Sequence, residues 1–373
     1  MKIPQHVHET IIRISENKRV SPMLLKKTMK EILPMPDDIV RTSLLSNVLN
    51  GLMARGPKKN EIVPLIESIF DYCNYRPFTR VVSDPRINVI GIIGSGKKGY
   101  KTLNISSASS ILAAGMGCYV VKPMSSSASS VTGSADFFEI CGVKNGLRPD
   151  ESVDILEEVG IVPLKIEDSV KKFDDAYGRR FFATHALSFG LPPLICDIKY
   201  NFLLYGIAHP NVKLSADVLR AFNINNALIY SSTYDDIHFI DEMGIFGTTR
   251  LIGISNGCVG KLRYLEPTEL LGLPRYSPKD IQQRKTPHKN VSIVLAILAG
   301  KTKKETEAIE NIICINVSNI LFASGKAREL NEGYKMAKSI IRTGVGFETL
   351  KKLVAATGGN PNTPETVLKE ALQ

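Results

Sequence analysis

The chain has 373 residues, of which 43% are hydrophobic and 23% charged, which is enough for one large domain or two ordinary ones. Its formal net charge of +10 at pH 7 favours anionic ligands, whether phosphates or nucleic acid. No apolar run reaches the roughly 18–20 residues of a membrane span, and the first residues lack the apolar core of a secretory signal. The sequence therefore predicts a cytoplasmic protein with no membrane association.

Six cysteines are scattered along the chain without a C-x-x-C pair or a histidine at metal-ligand spacing. We expect buried free thiols in a reducing compartment and no structural zinc.

The first 80 residues have the apolar spacing of helices. Ser21 followed by Pro22 predicts a helix start, with the capping residue and the first-turn proline in order. A second helix is predicted from Asp37 or Asp38 to about Gly56, and a third opens at Asn60. A proline-containing linker follows.

From residue 88 onward, short β-branched runs alternate with helical patterns. The predicted strands are NVIGIIG from residue 88, CYVVKP from 118, LKI from 164, FLLYGIA from 202, NALIYSS from 226 and TRLIGIS from 249. A capped helix is predicted to begin at Ser215, and the chain is predicted to be helical again after Pro287. This alternation predicts an α/β fold whose large domain has a mostly parallel sheet flanked by helices.

Two turn-rich segments bracket the small-residue helix that follows the first strand. The first carries Gly94, Gly96 and Gly99 with lysines between and beyond them, and the second carries Lys122, a run of serines and Gly133. Glycines let backbone N–H groups approach an anion, and the N-terminus of a following helix adds its dipole. Two such loops facing each other would hold a doubly phosphorylated ligand, such as a sugar diphosphate.

Five segments resemble, in order, the motifs of the anthranilate phosphoribosyltransferase family. They are ARGPKKNEIVPL, GSGKKGYKTLNISSAS, KPMSSSASSVTGSADFFEICG, FIDEMGIFGTTR and INVSNILFASGKARELNEGYKMA. The resemblance covers roughly residues 20–350, and several ordered motifs are stronger evidence than one glycine-rich loop.

This resemblance implies a small all-helical domain, residues 1–85 joined by a helical stretch near 170–190, beside an α/β phosphoribosyl-binding domain, residues 86–373. It implies Mg²⁺-dependent transfer of phosphoribose from phosphoribosyl diphosphate (PRPP) to a small nitrogen acceptor. It also implies a homodimer formed through the helical domain.

The resemblance further implies roles for individual residues. Gly94, Ser95 and Gly96 would line the place where donor and acceptor meet. Asn104, Ser106 and Ser107 would hold the diphosphate, Asp241 and Glu242 would anchor Mg²⁺ with Ser106, and Lys122 would contact phosphate. The remaining substrate-binding candidates are Lys98, Ser125, Ser130 and, for a carboxylate on the acceptor, Arg179.

Departures from the family pattern concentrate where the acceptor would bind. The family's His-Gly-Asn-Arg after the lysine is here Pro123, Met124, Ser125 and Ser126, and its aspartate in the first loop is Lys98. We therefore expect an acceptor other than anthranilate, although the sequence does not rule out anthranilate.

Other interpretations stay open at this point. The serine run is also compatible with a surface linker, and Arg179 with plain surface charge. A pyrimidine-type nucleoside phosphorylase and a non-catalytic nucleic-acid binder are the alternative functions. The Asp241–Glu242 pair favours the transferase, because a phosphorylase has no diphosphate-bound magnesium to hold; the intact set of site residues disfavours the nucleic-acid binder.

Overall fold

The computed structural model describes residues 3–96, 99–127, 130–178 and 180–370. Within these ranges the chain forms a nine-stranded sheet surrounded by α-helices. The strands are β1 (Val89–Gly94), β2 (Tyr119–Met124), β3 (Ile161–Lys165), β4 (Phe202–Gly206), β5 (Ala227–Thr233), β6 (Phe239–Ile240), β7 (Thr248–Ser255), β8 (Cys258–Val259) and β9 (Arg263–Leu265).

The helices account for most of the remaining described residues. They are α1 (Gln5–Ser15), α2 (Pro22–Ile32), α3 (Asp38–Arg55), α4 (Lys59–Cys73), α5 (Ile105–Gly115), α6 (Ser134–Ile140), α7 (Pro149–Val159), α8 (Ile166–Ser169), α9 (Lys171–Tyr177), α10 (Leu191–Leu194), α11 (Val212–Ala221), α12 (Pro267–Leu271), α13 (Pro287–Leu298), α14 (Glu307–Ala323), α15 (Leu330–Ile341), α16 (Val345–Ala356) and α17 (Thr363–Glu370). Short 3₁₀ helices span Ala186–Phe189, Pro278–Ile281 and Lys304–Thr306.

The N-terminal helices begin where the sequence places their caps. Ser21 Oγ accepts the Leu24 N–H at 3.2 Å, and Asp37 Oδ1 accepts the Val40 N–H at 3.0 Å. Each such cap stabilises its helix by about 1 kcal/mol. Helix α4 begins at Lys59, one residue before the predicted start.

The sheet has the strand order β3-β2-β1-β4-β5-β7-β8, and its first five strands are parallel. Strands β6 to β9 pair antiparallel at the other side, so TRLIGIS is a strand as predicted but runs against β5. Strands β1 and β4, in the middle of the sheet, are almost wholly buried and carry no charged residue, as expected of parallel strands covered by helices on both faces. The carboxyl ends of β1, β2 and β3 therefore lie at one edge of the sheet, where loops build a site.

Helix α5 fills the space beside β1 and β2. It packs against α14 and α16, and nine of its residues are buried. Alanines and serines permit this close approach, because larger side chains would not fit between the helices.

The predicted start of α11 is wrong. The helix expected to begin at Ser215 begins at Val212, because Asn211 Oδ1 accepts the Leu214 N–H at 3.0 Å and caps the helix earlier. Ser215 is fully buried inside it.

The six cysteines are free thiols, as expected, but only four of them are buried: Cys73 is half-buried and Cys258 is exposed. Among the described residues, no helix has the length and hydropathy needed to cross a bilayer. The cytoplasmic location stays a prediction.

Candidate functional site

A cavity of about 260 Å³ opens at the carboxyl edge of the parallel strands. Both turn-rich segments line it, together with the residues that follow β6. We call residues 94–104 the first loop and residues 125–133 the second loop.

The first loop leaves β1 in close contact with an acidic side chain. The Gly96 N–H donates to Asp241 Oδ2 at 2.7 Å, and Gly96 has a φ of +67°, which favours glycine. A Cβ on Gly94 would lie 2.2 Å from the same carboxylate oxygen. Ser95 is held by the segment that follows β4, since its Oγ accepts the Ala208 N–H at 3.0 Å. The close approach of Asp241 thus leaves no room for a side chain at position 94, which must be glycine.

The N-terminus of α5 faces the cavity. Asn104 is its N-cap, and its Nδ2 donates to the Gly133 carbonyl at 3.0 Å, which joins the first loop to the second. Among the described residues, the buried Asn104 Oδ1 and Ser107 Oγ have no hydrogen-bond partner. Ser106 lies in the same first turn and lines the cavity. Unpaired buried oxygens at a helix N-terminus suit a ligand that brings its own partners.

Lys122 lies inside β2 and points into the cavity rather than to solvent. Its side chain is 2% exposed, and Nζ donates to the Pro123 carbonyl at 3.1 Å. A buried ammonium beside the two loops supplies positive charge where an anion would be desolvated.

The second loop is ordered by carboxylates. Asp136 Oδ2 accepts the backbone N–H groups of Gly133 at 2.8 Å and Ser127 at 3.2 Å. A Cβ on Gly133 would lie 2.5 Å from the Ser127 nitrogen. The described part of the serine run is therefore a structured turn, and its interpretation as a surface linker is wrong.

The acidic pair is buried at the same cavity. Asp241 is 4% exposed and Glu242 is 2% exposed. Thr102 Oγ1 donates to Glu242 Oε1 at 3.2 Å, and Asn316 of α14 makes two hydrogen bonds to the backbone of Met243. These contacts fix the backbone that presents both carboxylates.

Two neighbouring tyrosines are held neutral by this environment. Burial, followed by the charge of Asp241, raises the pKa of Tyr205 far above its usual value. Burial, followed by the charges of Glu242 and Asp241, also raises the pKa of Tyr230.

Most of the sequence-predicted site residues meet in this one cavity. Those that line it are Gly94, Ser95, Gly96, Asn104, Ser106, Ser107, Lys122, Ser125, Ser130, Asp241 and Glu242. Lys98 and Arg179 lie outside the described residues. The ligand-binding roles of all these residues stay predictions.

The sequence analysis missed an aromatic wall on the other side of the cavity. Tyr177 and Phe181 stack with ring centroids 4.7 Å apart and planes at 10°, and Phe173 lies 5.3 Å from Tyr177. The Tyr177 hydroxyl is 2.5 Å from His185 Nε2, and burial raises the pKa of Tyr177. The only signal in the sequence is the four-residue spacing of Phe173 and Tyr177, which puts both on one face of α9.

The donor set suits a magnesium ion that shares its ligands with a phosphate. The described residues hold no group of three or more His, Cys, Asp or Glu side chains that would bind a metal alone. Mg²⁺ is usually held by one or two carboxylates together with substrate phosphates. Asp241, Glu242 and Ser106 line the same cavity and match that pattern.

Comparisons with known proteins point in one direction. The profile described as "Glycosyl transferase family, a/b domain" matches residues 86–347. Anthranilate phosphoribosyltransferase of Tolumonas auensis is 30% identical over 323 residues, covering 83% of this chain and 88% of that protein. The enzyme of Pseudoalteromonas translucida is 27% identical over 360 residues, covering 95% of this chain and 96% of that protein.

A solved structure agrees in fold. Anthranilate phosphoribosyltransferase from Saccharomyces cerevisiae in complex with PRPP and Mg superimposes with a TM-score of 0.78 at 17% identity, covering 94% of this chain and 98% of that one.

Proposed function

The chain belongs to the glycosyltransferase family of the anthranilate phosphoribosyltransferases, which are pentosyltransferase enzymes. We propose that it transfers phosphoribose from PRPP to a small nitrogen acceptor, with Mg²⁺ bound to the diphosphate. The observation that carries the proposal is the joining of both loops and the acidic pair around one cavity. Asn104 bridges the loops, and Asp241 accepts a hydrogen bond from the first of them.

The polar side of the cavity suits the diphosphate of PRPP. The α5 N-terminus contributes its dipole, Ser106 and Ser107 contribute hydroxyls, and Lys122 contributes a buried charge. Asp241, Glu242 and Ser106 would hold Mg²⁺, which when bound neutralises the charge on the departing diphosphate.

The chemistry asks the chain for positioning and electrostatic stabilisation. The bond between the anomeric carbon and the diphosphate oxygen breaks, and the acceptor nitrogen bonds to that carbon. The diphosphate leaves as the free anion, and the nitrogen gives up its proton to water. Charge accumulates on the leaving diphosphate, so preorganised donors beside it lower the barrier. Holding the acceptor in line gives a further rate gain. No covalent nucleophile is required.

The acceptor is proposed to be a small aromatic or heterocyclic amine or amide. The aromatic wall of Phe173, Tyr177 and Phe181 offers flat apolar surface for such a ring. Pro123 and Met124 line the cavity where the family has histidine and glycine, which supports an acceptor different from anthranilate.

We also propose that the N-terminal helices and the segment near 170–190 form a separate helical domain, and that the protein is a homodimer. Arg41 of α3 donates to the Ala176 carbonyl of α9 at 2.9 Å, which supports grouping the segment near 170–190 with the N-terminal helices. Met23 of α2 and Ile39 of α3 are 69% and 76% exposed, which supports an association surface on these helices. Light scattering of the purified protein tests it, and a monomeric mass contradicts it.

Isothermal titration calorimetry with PRPP tests the proposed function. We expect binding in millimolar Mg²⁺ that weakens at least tenfold when Mg²⁺ is chelated. Lys122→Met should weaken binding by at least tenfold, since a charge-assisted contact is lost. Lys144→Met, at an exposed position outside the cavity, is the matched control and should bind as the wild type does. Absence of PRPP binding in millimolar Mg²⁺ contradicts the proposal.

A further inference from the structure

The cavity is also bordered by a segment in which the sequence analysis placed no site residue. This segment, residues 281–290, leads from the 3₁₀ helix at Pro278–Ile281 into the first turn of α13, and we call it the clasp. Gln283 of the clasp lines the cavity, as do Lys101 of the first loop and Thr132 of the second loop. The clasp is therefore placed to contact both loops.

The main chain of the clasp pairs with the main chain of the first loop. The Leu103 N–H donates to the Ile281 carbonyl at 3.1 Å, and the Gln283 N–H donates to the Lys101 carbonyl at 2.8 Å. These two hydrogen bonds flank an antiparallel bridge. Because the pairing uses backbone groups only, it holds Gln283 in register with the first loop whatever side chain stands at position 283.

The side chain of Gln283 pairs with the main chain of the second loop. Its Oε1 accepts the Val131 N–H at 2.8 Å, and its Nε2 donates to the Thr132 carbonyl at 2.9 Å. A glutamine amide has the donor and the acceptor that a neighbouring peptide group would offer to this stretch of backbone. One residue thus connects the first loop, through its backbone, with the second loop, through its side chain.

A buried asparagine supports the same contact. Asn290 is 0% exposed, and its Nδ2 donates to Thr132 Oγ1 at 2.9 Å. Its Oδ1 accepts the Arg284 N–H at 2.6 Å, which fixes the turn between Gln283 and α13. The shape of the clasp is therefore set from inside the fold, and Gln283 is presented to the second loop from a rigid base.

The separation of the two loops matters for a ligand that reaches both of them. PRPP carries a diphosphate at one end of its ribose and a phosphate at the other. When one end is bound, the other end benefits from a high effective concentration only if the second group of donors lies at the matching distance. Loops that are already fixed also avoid the entropic cost of being ordered by the ligand.

We propose that Gln283 is a positioning residue that fixes the separation of the two loops before the donor binds, and thereby favours a ligand with phosphate groups at both ends over one with a single phosphate-bearing end. The amide acts on the ligand through the second loop. The inference rests on the proposed transferase function, because it describes how the same cavity holds PRPP.

Hydrogen–deuterium exchange of the full-length protein without ligand tests whether Gln283 holds the second loop. Gln283→Met keeps the length of the side chain and removes both hydrogen bonds, so a peptide that contains Val131 should exchange about tenfold faster. A peptide that contains Leu103 should keep its rate, because its pairing with the clasp is through the backbone. Gln282→Met is the matched control, since it makes the same substitution at the adjacent, exposed glutamine and should change neither peptide.

Calorimetry in millimolar Mg²⁺ then tests the effect on ligands, with PRPP, inorganic diphosphate and ribose 5-phosphate as probes. We expect Gln283→Met to weaken PRPP binding about tenfold and the binding of each single-ended probe by less than about twofold. A general loss of stability would not separate PRPP from its two fragments. Gln283→Asn, whose amide is one methylene too short to keep both contacts, should change the affinities in the same direction and serves as the second variant if Gln283→Met does not fold.

The outcomes separate the inference from the function on which it rests. Unchanged exchange of the second loop in the Gln283 variants overturns the claim that this side chain holds the loop. Faster exchange with unchanged PRPP affinity, or an equal loss for PRPP and its fragments, overturns the positioning role. Absence of PRPP binding to the wild type overturns the transferase proposal and with it the role of Gln283 towards PRPP, whereas the exchange rates still decide whether Gln283 holds the second loop.

Discussion

Replacing Gly94 with alanine should damage the site through a single atom. The added Cβ would lie 2.2 Å from Asp241 Oδ2 and 2.6 Å from its Cγ, whereas ordinary contact begins at 3.4 Å. The carboxylate would have to retreat by about 1.2 Å to restore van der Waals contact. A backbone shift towards β4 has little room, because Gly206 packs so closely against Asp241 that a Cβ there would lie 1.8 Å from the Asp241 carbonyl oxygen.

The energetic cost follows from the contacts that the retreat disrupts. The 2.7 Å hydrogen bond from the Gly96 N–H to Asp241 would be lost, and a hydrogen bond to a charged group contributes about 1.5–3 kcal/mol. Overpacking adds about 1–3 kcal/mol. We expect this cost to be shared between stability and PRPP binding, with affinity in Mg²⁺ reduced at least tenfold.

Calorimetric titration with PRPP measures the loss of affinity, and unfolding in urea measures the loss of stability. The control is Gly253→Ala in β7, where the nearest atom to the added Cβ is the Ala227 carbonyl oxygen at 3.9 Å. That variant should bind as the wild type does. Wild-type affinity and stability in Gly94→Ala would refute the proposed close contact between the first loop and the acidic pair.

Three further changes probe other parts of the molecule. Tyr100→Phe removes the 2.6 Å hydrogen bond to Asp235 that fastens the first loop, and should reduce PRPP affinity two- to threefold in calorimetry. Glu61→Gln leaves Arg55 charged and buried without its ion-pair partner, and should lower the free energy of unfolding in urea by about 3–5 kcal/mol. Burial, with a smaller effect of a nearby arginine, lowers the pKa of His209 to about 4. Between pH 6.5 and 4 the unfolded chain therefore binds a proton at His209 that the folded chain does not. The free energy of unfolding should fall by up to about 3 kcal/mol as the pH falls through that range, and His209→Gln should remove this part of the pH dependence.

Each of these predictions has a contradicting result. Unchanged PRPP affinity in Tyr100→Phe would show that the first loop does not need this contact. A loss below 1 kcal/mol in Glu61→Gln, equal to that of Glu67→Gln at the exposed pair with Lys26, would contradict the buried ion pair. An identical pH profile in His209→Gln would contradict the lowered pKa of His209.

The features that the sequence predicted are those encoded locally. Strand β1 is an uninterrupted apolar run that ends in glycine, and the acidic pair follows a short strand, so both can be recognised without knowing the fold. Strand β3 was predicted to begin at Leu164 but begins at Ile161. Pro163 hid its start, yet a proline is tolerated because β3 lies at the edge of the sheet.

The cavity illustrates what local patterns leave out. Its walls come from segments that are brought together only by tertiary packing, and Glu167 Oε1 accepts the N–H of Ser126, 41 positions earlier in the chain. The Asn104 bridge to the second loop is likewise long-range, spanning 29 positions. Such pairings depend on how the strands associate, which periodicity does not report.

A crystal structure of the protein with PRPP and Mg²⁺ tests the central claim most directly. The account predicts electron density for the diphosphate between the α5 N-terminus and the second loop, within hydrogen-bonding distance of Ser106 or Ser107. It also predicts a metal ion beside Asp241 or Glu242. PRPP bound elsewhere, or bound here with both carboxylates facing away from it, would contradict the account.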